Sequence, residues 1–128
     1  MSERLRRSRR VLAVQSKLDR ITEWSLIDLQ SQATVLENQQ HGLVRFMSRE
    51  TAVAGIFSST IMRRLQAIAE ILATIANEQE VQKGRHLDER RRLRRAGRIV
   101  AVLESEVRHK DTLRQLAEAI EAALHRGS

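Results

Sequence analysis

The sequence predicts an all-α fold: an antiparallel two-helix coiled-coil hairpin with long helices and a C-terminal helical overhang. Three observations carry that expectation. The 128 residues contain no proline and only five glycines, so little in the chain ends a helix. Apolar residues recur at alternating steps of three and four, the mark of a coiled-coil seam. One short segment, 48–59, interrupts the repeat between two long runs.

The first helix is expected over about residues 2–47. Val11, Val14, Leu18 and Ile21 keep the repeat, which then passes through Ser25, Leu29, Ala33, Leu36, Gln40, Leu43 and Met47. Two consecutive steps of four between Ile21 and Leu29 give a local eleven-residue spacing, which relaxes a left-handed supercoil. Gly42 weakens this helix by about 1 kcal/mol relative to alanine.

The segment SRETAVAGIFSS, 48–59, is expected to be the connection. Gly55 supplies freedom at positive φ, and Ser58, Ser59 or Thr60 can cap the following helix by accepting a free N–H. A short link between long helices favours an antiparallel hairpin. With the turn centred near residue 54, position i faces about 108 minus i. Leu43 then meets Leu65, Leu36 meets Leu72, and Val14 meets the Leu93–Arg94 region.

The second helix is expected over about 60–125. Its seam runs through Ile61, Leu65, Ile68, Leu72 and Ile75, continues through Leu93, Ala96, Val100, Leu103 and Val107, and resumes at Leu113, Leu116, Ile120 and Leu124. Between the first two runs, Gln79, Gln82, His86 and Glu89 occupy seam positions opposite the Ser25 region, as a soft segment or a register-setting layer. Gly84 and Gly97 each lower helix propensity there by roughly 1 kcal/mol. About twenty residues from Arg108 onward have no opposite helix, and their apolar stripe favours a partner.

Function classes narrow quickly. Two Phe, one Trp and no Tyr leave few bulky groups for a globular core, and the absence of Cys excludes disulfides and thiolate metal sites. No apolar run approaches the roughly 18 residues that span a bilayer. Gly-rich phosphate loops, GxSxG and HExxH are absent, and His41, His86, His109 and His125 are scattered. No enzyme, cofactor or metal is expected. The absence of Cys suits a reducing cytoplasm.

Charge and bulk mark three candidate surfaces. Residues 1–20 carry +5 and residues 83–98 carry +6, within a total of +7. The hairpin mirror puts both runs at the end away from the turn. Arg4, Arg6, Arg7, Arg9 and Arg10 then lie near Arg91, Arg92, Arg94, Arg95 and Arg98 as a basic shaft for an acidic partner. Phe46, Met47, Ile56 and Phe57 gather bulky side chains at the tip, expected to be a protein-docking surface. The overhang stripe of Leu113, Leu116, Ile120 and Leu124 is the third. Surplus apolar surface around Met62, Ala67 and Ile71 calls for a cover, either a second copy in a four-helix bundle or another protein.

The basic opening MSERLRRSRRVLAVQSKLDRI, the proline-free pair of long helices, the irregular tip and the closing KDTLRQLAEAIEAALHR resemble the flagellar FliJ family and its type III secretion counterparts. That resemblance covers nearly the whole chain. It implies a cytoplasmic protein, peripheral at the membrane export apparatus and similar to the rotor shaft of rotary ATPases. The hairpin termini would engage the hexameric export ATPase, and the other region the export gate or chaperones. Gly84, Gly97 and the few acidic residues of the first helix depart from the family pattern. Two other classes stand beside this one: a dimeric structural adaptor, and a basic coiled coil that binds nucleic acid through phosphates. No aromatic stacking platform accompanies the basic runs, which weighs against the last.

Overall fold

Two α-helices make up the described chain: α1, Glu3–Arg49, and α2, Thr51–Gly127. The computed structural model describes the backbone of residues 2–49 and 51–127 and the side chains of residues 2–49 and 55–127. Ser2 starts α1, its Oγ accepting the Leu5 N–H at 3.4 Å while its carbonyl accepts the Arg6 N–H at 3.2 Å. Glu3 adds negative charge at the positive end of the helix dipole. The helices pack closely as an all-α hairpin, in agreement with the fold class read from the sequence.

The connection is shorter than the expected 48–59. Residues 51–59 belong to α2, and Gly55 has no positive φ. Ser58 does not cap a helix start; its Oγ donates back to the Gly55 carbonyl at 3.3 Å, inside the helix. With no proline in the segment, one glycine costs only about 1 kcal/mol and cannot stop a helix whose neighbours propagate it. Glu50 and the side chains of residues 51–54 lie outside the described residues. Helix α2 also runs unbroken through Gly84 and Gly97, and nothing lies within 4 Å of a Cβ built on either.

The chain divides into two compact units, a central one of Arg20–Asp88 and a terminal one of Met1–Asp19 with Glu89–Ser128. In the central unit, α1 turns Thr22, Leu26, Leu29, Ala33, Leu36, Gln40, Leu43 and Met47 inward. From α2 come Ile61, Leu65, Ile68, Leu72, Ile75, Gln79, Gln82 and His86. Ile68 is completely buried, and Ala33, Ile61 and Ile75 are nearly so. The pairing is antiparallel: Arg64 Nη2 donates to Gln39 Oε1 at 3.2 Å, Gln79 Nε2 contacts Gln30 Oε1 at 3.5 Å, and Thr22 Oγ1 meets His86 Nδ1 at 2.9 Å.

In the terminal unit, Leu5, Ser8, Leu12, Gln15 and Asp19 face Glu89, Leu93, Ala96, Val100, Leu103 and Val107. Leu5, Val100 and Leu103 form a buried cluster with Leu12 and Val107 against it. Arg9 Nη2 donates to Glu104 Oε1 at 3.1 Å, and Gln15 Nε2 donates to the Glu89 carboxylate. These pairs, like those of the central unit, follow the expected mirror of about 108 minus i.

The first third of α1 corrects the expected seam. Val11, Val14, Leu18 and Ile21 are 55%, 57%, 39% and 57% exposed. The inward residues are the next ones along the chain, Leu12, Gln15, Asp19 and Thr22. Counted from Leu5, the steps alternate three and four without a break as far as Met47, so the eleven-residue spacing does not exist. Val14 therefore does not meet the Leu93 region. The physical reason lies across the interface, where α2 presents Gln82, His86 and Glu89. Aliphatic side chains set against them would strip water from polar groups without replacing its hydrogen bonds.

This register makes adjacent residues behave differently. Leu12→Asp should cost about 2–4 kcal/mol in chemical denaturation, because it adds a charge beside the Leu5 cluster. Val11→Asp should change stability by less than about 0.5 kcal/mol. The reverse ranking would return Val11 to the seam.

Candidate protein-docking faces

The ten arginines of the expected basic shaft, Arg4, Arg6, Arg7, Arg9, Arg10, Arg91, Arg92, Arg94, Arg95 and Arg98, all belong to the terminal unit and are all exposed. That unit carries 16 Lys and Arg against 8 Asp and Glu, whereas the central unit carries 7 against 8. The whole net charge of the chain thus sits on one unit. Helix geometry delivers it: Arg4, Arg7 and Arg10 fall away from the seam held by Leu5, Ser8 and Leu12, as Arg94, Arg95 and Arg98 do from Ala96 and Val100.

Part of the charge is compensated locally. Arg9 pairs with Glu104 at 3.1 Å, Arg6 and Arg10 approach Glu3 at 3.8 and 3.9 Å, and Arg92 pairs with Glu89 at 3.1 Å. Such exposed pairs contribute about 0–1 kcal/mol each and are screened by salt. Arg4, Arg7, Arg94, Arg95 and Arg98 make no ion pair among the described residues and stand ready for carboxylates or phosphates from outside.

A polar layer occupies the seam beside the basic region, and the sequence reading missed its α1 half. Asp19 is 6% exposed, with Arg90 Nε 3.1 Å from its Oδ1, and Gln15 bonds Glu89. In the central unit Thr22 and His86 supply the equivalent match. Counting backward from Leu36, Ala33, Leu29 and Leu26 in the same steps would have found Thr22, Asp19 and Gln15. The denser aliphatic set one residue earlier hid them. The polar side chains here are partnered within the fold, and among the described residues no three His, Asp or Glu gather as metal ligands.

The expected tip splits. Phe46 and Met47 are half-buried at the end of the α1 seam, whereas Ile56 and Phe57 are 76% and 51% exposed. Trp24, in the central unit, is 67% exposed.

A second apolar register lies just outside the seam of the terminal unit. On α1 it comprises Val11, Val14 and Leu18; on α2, Ile99 and Val102, which are 46% and 57% exposed. Val11 and Ile99 line one groove with Arg7, Ser8 and Ala96. The overhang belongs to this outer register. Continued past Val107 in steps of three and four, the inner seam reaches Lys110, Arg114, Ala117 and Glu121, while Leu113, Leu116 and Ile120 each fall one residue earlier. Those three do not resume the seam as expected, and every residue from Arg108 to Gly127 is exposed.

No protein-family model, curated protein or solved structure matches the chain.

The seam assignment of Asp19 has a measurable consequence. Asp19→Leu should lower the melting temperature, because a leucine there faces the polar stretch of α2 without replacing the bonds of the carboxylate and leaves Arg90 without its partner. A loss of about 1–3 kcal/mol is expected in chemical denaturation, and an unchanged or higher stability would show that the seam accepts an aliphatic side chain at this level.

Proposed function

We propose that the chain is a non-enzymatic, protein-binding coiled coil whose terminal unit docks on an acidic protein surface. The observation that carries this is the placement of charge: sixteen cationic side chains against eight anionic ones in one unit, beside a nearly neutral central unit. Like charges held together repel, and an acidic partner relieves that repulsion while steering association. The finer reading is a stalk-like component of a flagellar or type III export apparatus. In it the basic unit engages the export ATPase, while the exposed Ile56 and Phe57 contact the gate or chaperones. It is supported by the resemblance of the helical segments and charge layout to the FliJ family.

A second reading, a dimeric structural adaptor, is favoured by the exposed outer register from Val11 to Ile120. Nucleic acid is the competitor for the arginines. Among the described residues no helix is long and apolar enough to cross a membrane.

Two experiments test the reading. Arg94→Glu combined with Arg98→Glu should abolish capture of the acidic partner in co-purification from the native cell, with duplex and single-stranded binding already negligible at physiological salt. Duplex binding by the unaltered chain that persists above about 200 mM salt would instead assign the arginines to phosphates. For the tip, Phe57→Ser should leave the melting temperature unchanged and weaken partner capture. A loss of several kcal/mol would show Phe57 to be core.

A further inference from the structure

None of the described residues of the α2 overhang is buried. From Arg108 to Gly127 every side chain is exposed, and Leu113, Leu116, Ile120 and Leu124 are 52%, 56%, 53% and 70% exposed. A single helix of about twenty residues is marginal in water, and this one leaves its aliphatic side chains exposed. At about 100° per residue, Leu113, Leu116, Ala117, Ile120, Ala123 and Leu124 fall within a stripe about 120° wide, the width a packed helix buries. We propose that this stripe is the seam of an antiparallel homodimer, in which the overhangs of two copies pair about a two-fold axis near residue 118.

Self-complementarity selects a second copy as the occupant. An axis at that point sets Leu113 opposite Leu124 of the other copy and Leu116 opposite its Ile120, so all four aliphatic positions interlock. The same register sets Arg114 opposite Glu121 of the other copy. Both lie on the same flank of the stripe, and in an antiparallel pair like flanks face each other, so the symmetry makes this ion pair twice. Within one chain Arg114 touches Asp111 at 3.5 Å across an exposed surface, a contact that leaves its guanidinium reachable. The opposite flank carries Thr112 and Ala119, next to Ala123 at the edge of the stripe, small side chains that let the two backbones approach.

Electrostatics chooses the direction. A parallel pair would bring the remainders of two terminal units, each with 12 cationic and 5 anionic side chains outside the overhang, alongside each other. The antiparallel pair carries them away in opposite directions from the shared overhangs. Residues 108–127 hold four Lys and Arg against three Asp and Glu, so the overhangs themselves hardly repel. The outer-register groove of Arg7, Val11 and Ile99 stays open in this dimer, and the arginines of the basic region remain available to another partner.

Sedimentation equilibrium of the full chain tests the proposal. The expected result is a reversible dimer that Ile120→Asp converts to monomer with the far-ultraviolet signal of the hairpin retained. Arg114→Glu and Glu121→Arg should each weaken dimerisation about tenfold, and the two together should restore it to within about threefold, since they recreate the pair with its charges exchanged. For direction, a mixture of Leu113→Cys and Leu124→Cys chains should form a mixed disulfide. Leu113→Cys alone should not link to itself, because the antiparallel pair separates its two copies by about 16 Å. A chain that stays monomeric at all concentrations overturns the proposal. So does a dimer indifferent to Ile120→Asp, a self-linked Leu113→Cys chain, or a double charge reversal as weak as either single one. The acidic-partner reading uses other residues, so losing that activity with dimerisation intact leaves this proposal standing.

Discussion

The fold depends on two repeats staying in step. From Leu5 to Met47 on α1, and from Ile61 to Val107 on α2, inward positions alternate steps of three and four without a break. A single added or missing residue would rotate everything beyond it by about 100° and put the wrong face inward. In the middle of each repeat the apolar side chains give way to Gln15, Asp19 and Thr22 on one helix and Gln82, His86 and Glu89 on the other. The register survives because these are matched to each other within their units: Gln15 to Glu89, Thr22 to His86. Apolar burial alone would favour a different rotation of α1, with Val11, Val14, Leu18 and Ile21 inward. The observed rotation wins because the facing helix is polar there, and a hydrogen-bonded polar pair costs less than a buried group left without a partner.

That competition explains what could and could not be read from the sequence. On α2 the aliphatic runs Ile61–Ile75 and Leu93–Val107 flank the polar stretch in phase, so counting through it places Gln79, Gln82, His86 and Glu89 correctly. On α1 the inward residues between Leu5 and Thr22 include only two leucines, while four aliphatic residues one position earlier make a better-looking repeat. The rule that hydrophobic residues face inward therefore selects the wrong face. The same one-residue offset recurs in the overhang, where Leu113, Leu116 and Ile120 look like a resumption of the seam and are not. The connection looks longer in the sequence than it is for a plainer reason: glycine and serine interrupt the apolar repeat at 48–59 without the stopping power of proline.

The candidate docking faces were legible as charge but not as geometry. Two arginine-rich runs are visible in the residues alone, and their location in one unit follows from the mirror. Their partial compensation does not, since Glu104 lies 95 residues from Arg9, and Glu89 serves both Arg92 and Gln15. Net charge overstates the free charge of such a surface. The arginines that make no ion pair among the described residues, Arg4, Arg7, Arg94, Arg95 and Arg98, are a better guide to what a partner meets.

The ladder of cross-helix contacts also sets an order of assembly. Arg64 reaches Gln39 across 25 residues of chain, Gln79 reaches Gln30 across 49, His86 reaches Thr22 across 64, and Glu104 reaches Arg9 across 95. Each wider loop costs more entropy to close unless the narrower one has already closed, so the hairpin zips from its connection outward. The terminal unit closes last and, by the same logic, frays first. Its cationic surplus falls on the segment farthest from the connection. A bound anionic surface would then act as a clasp, damping the opening of that segment.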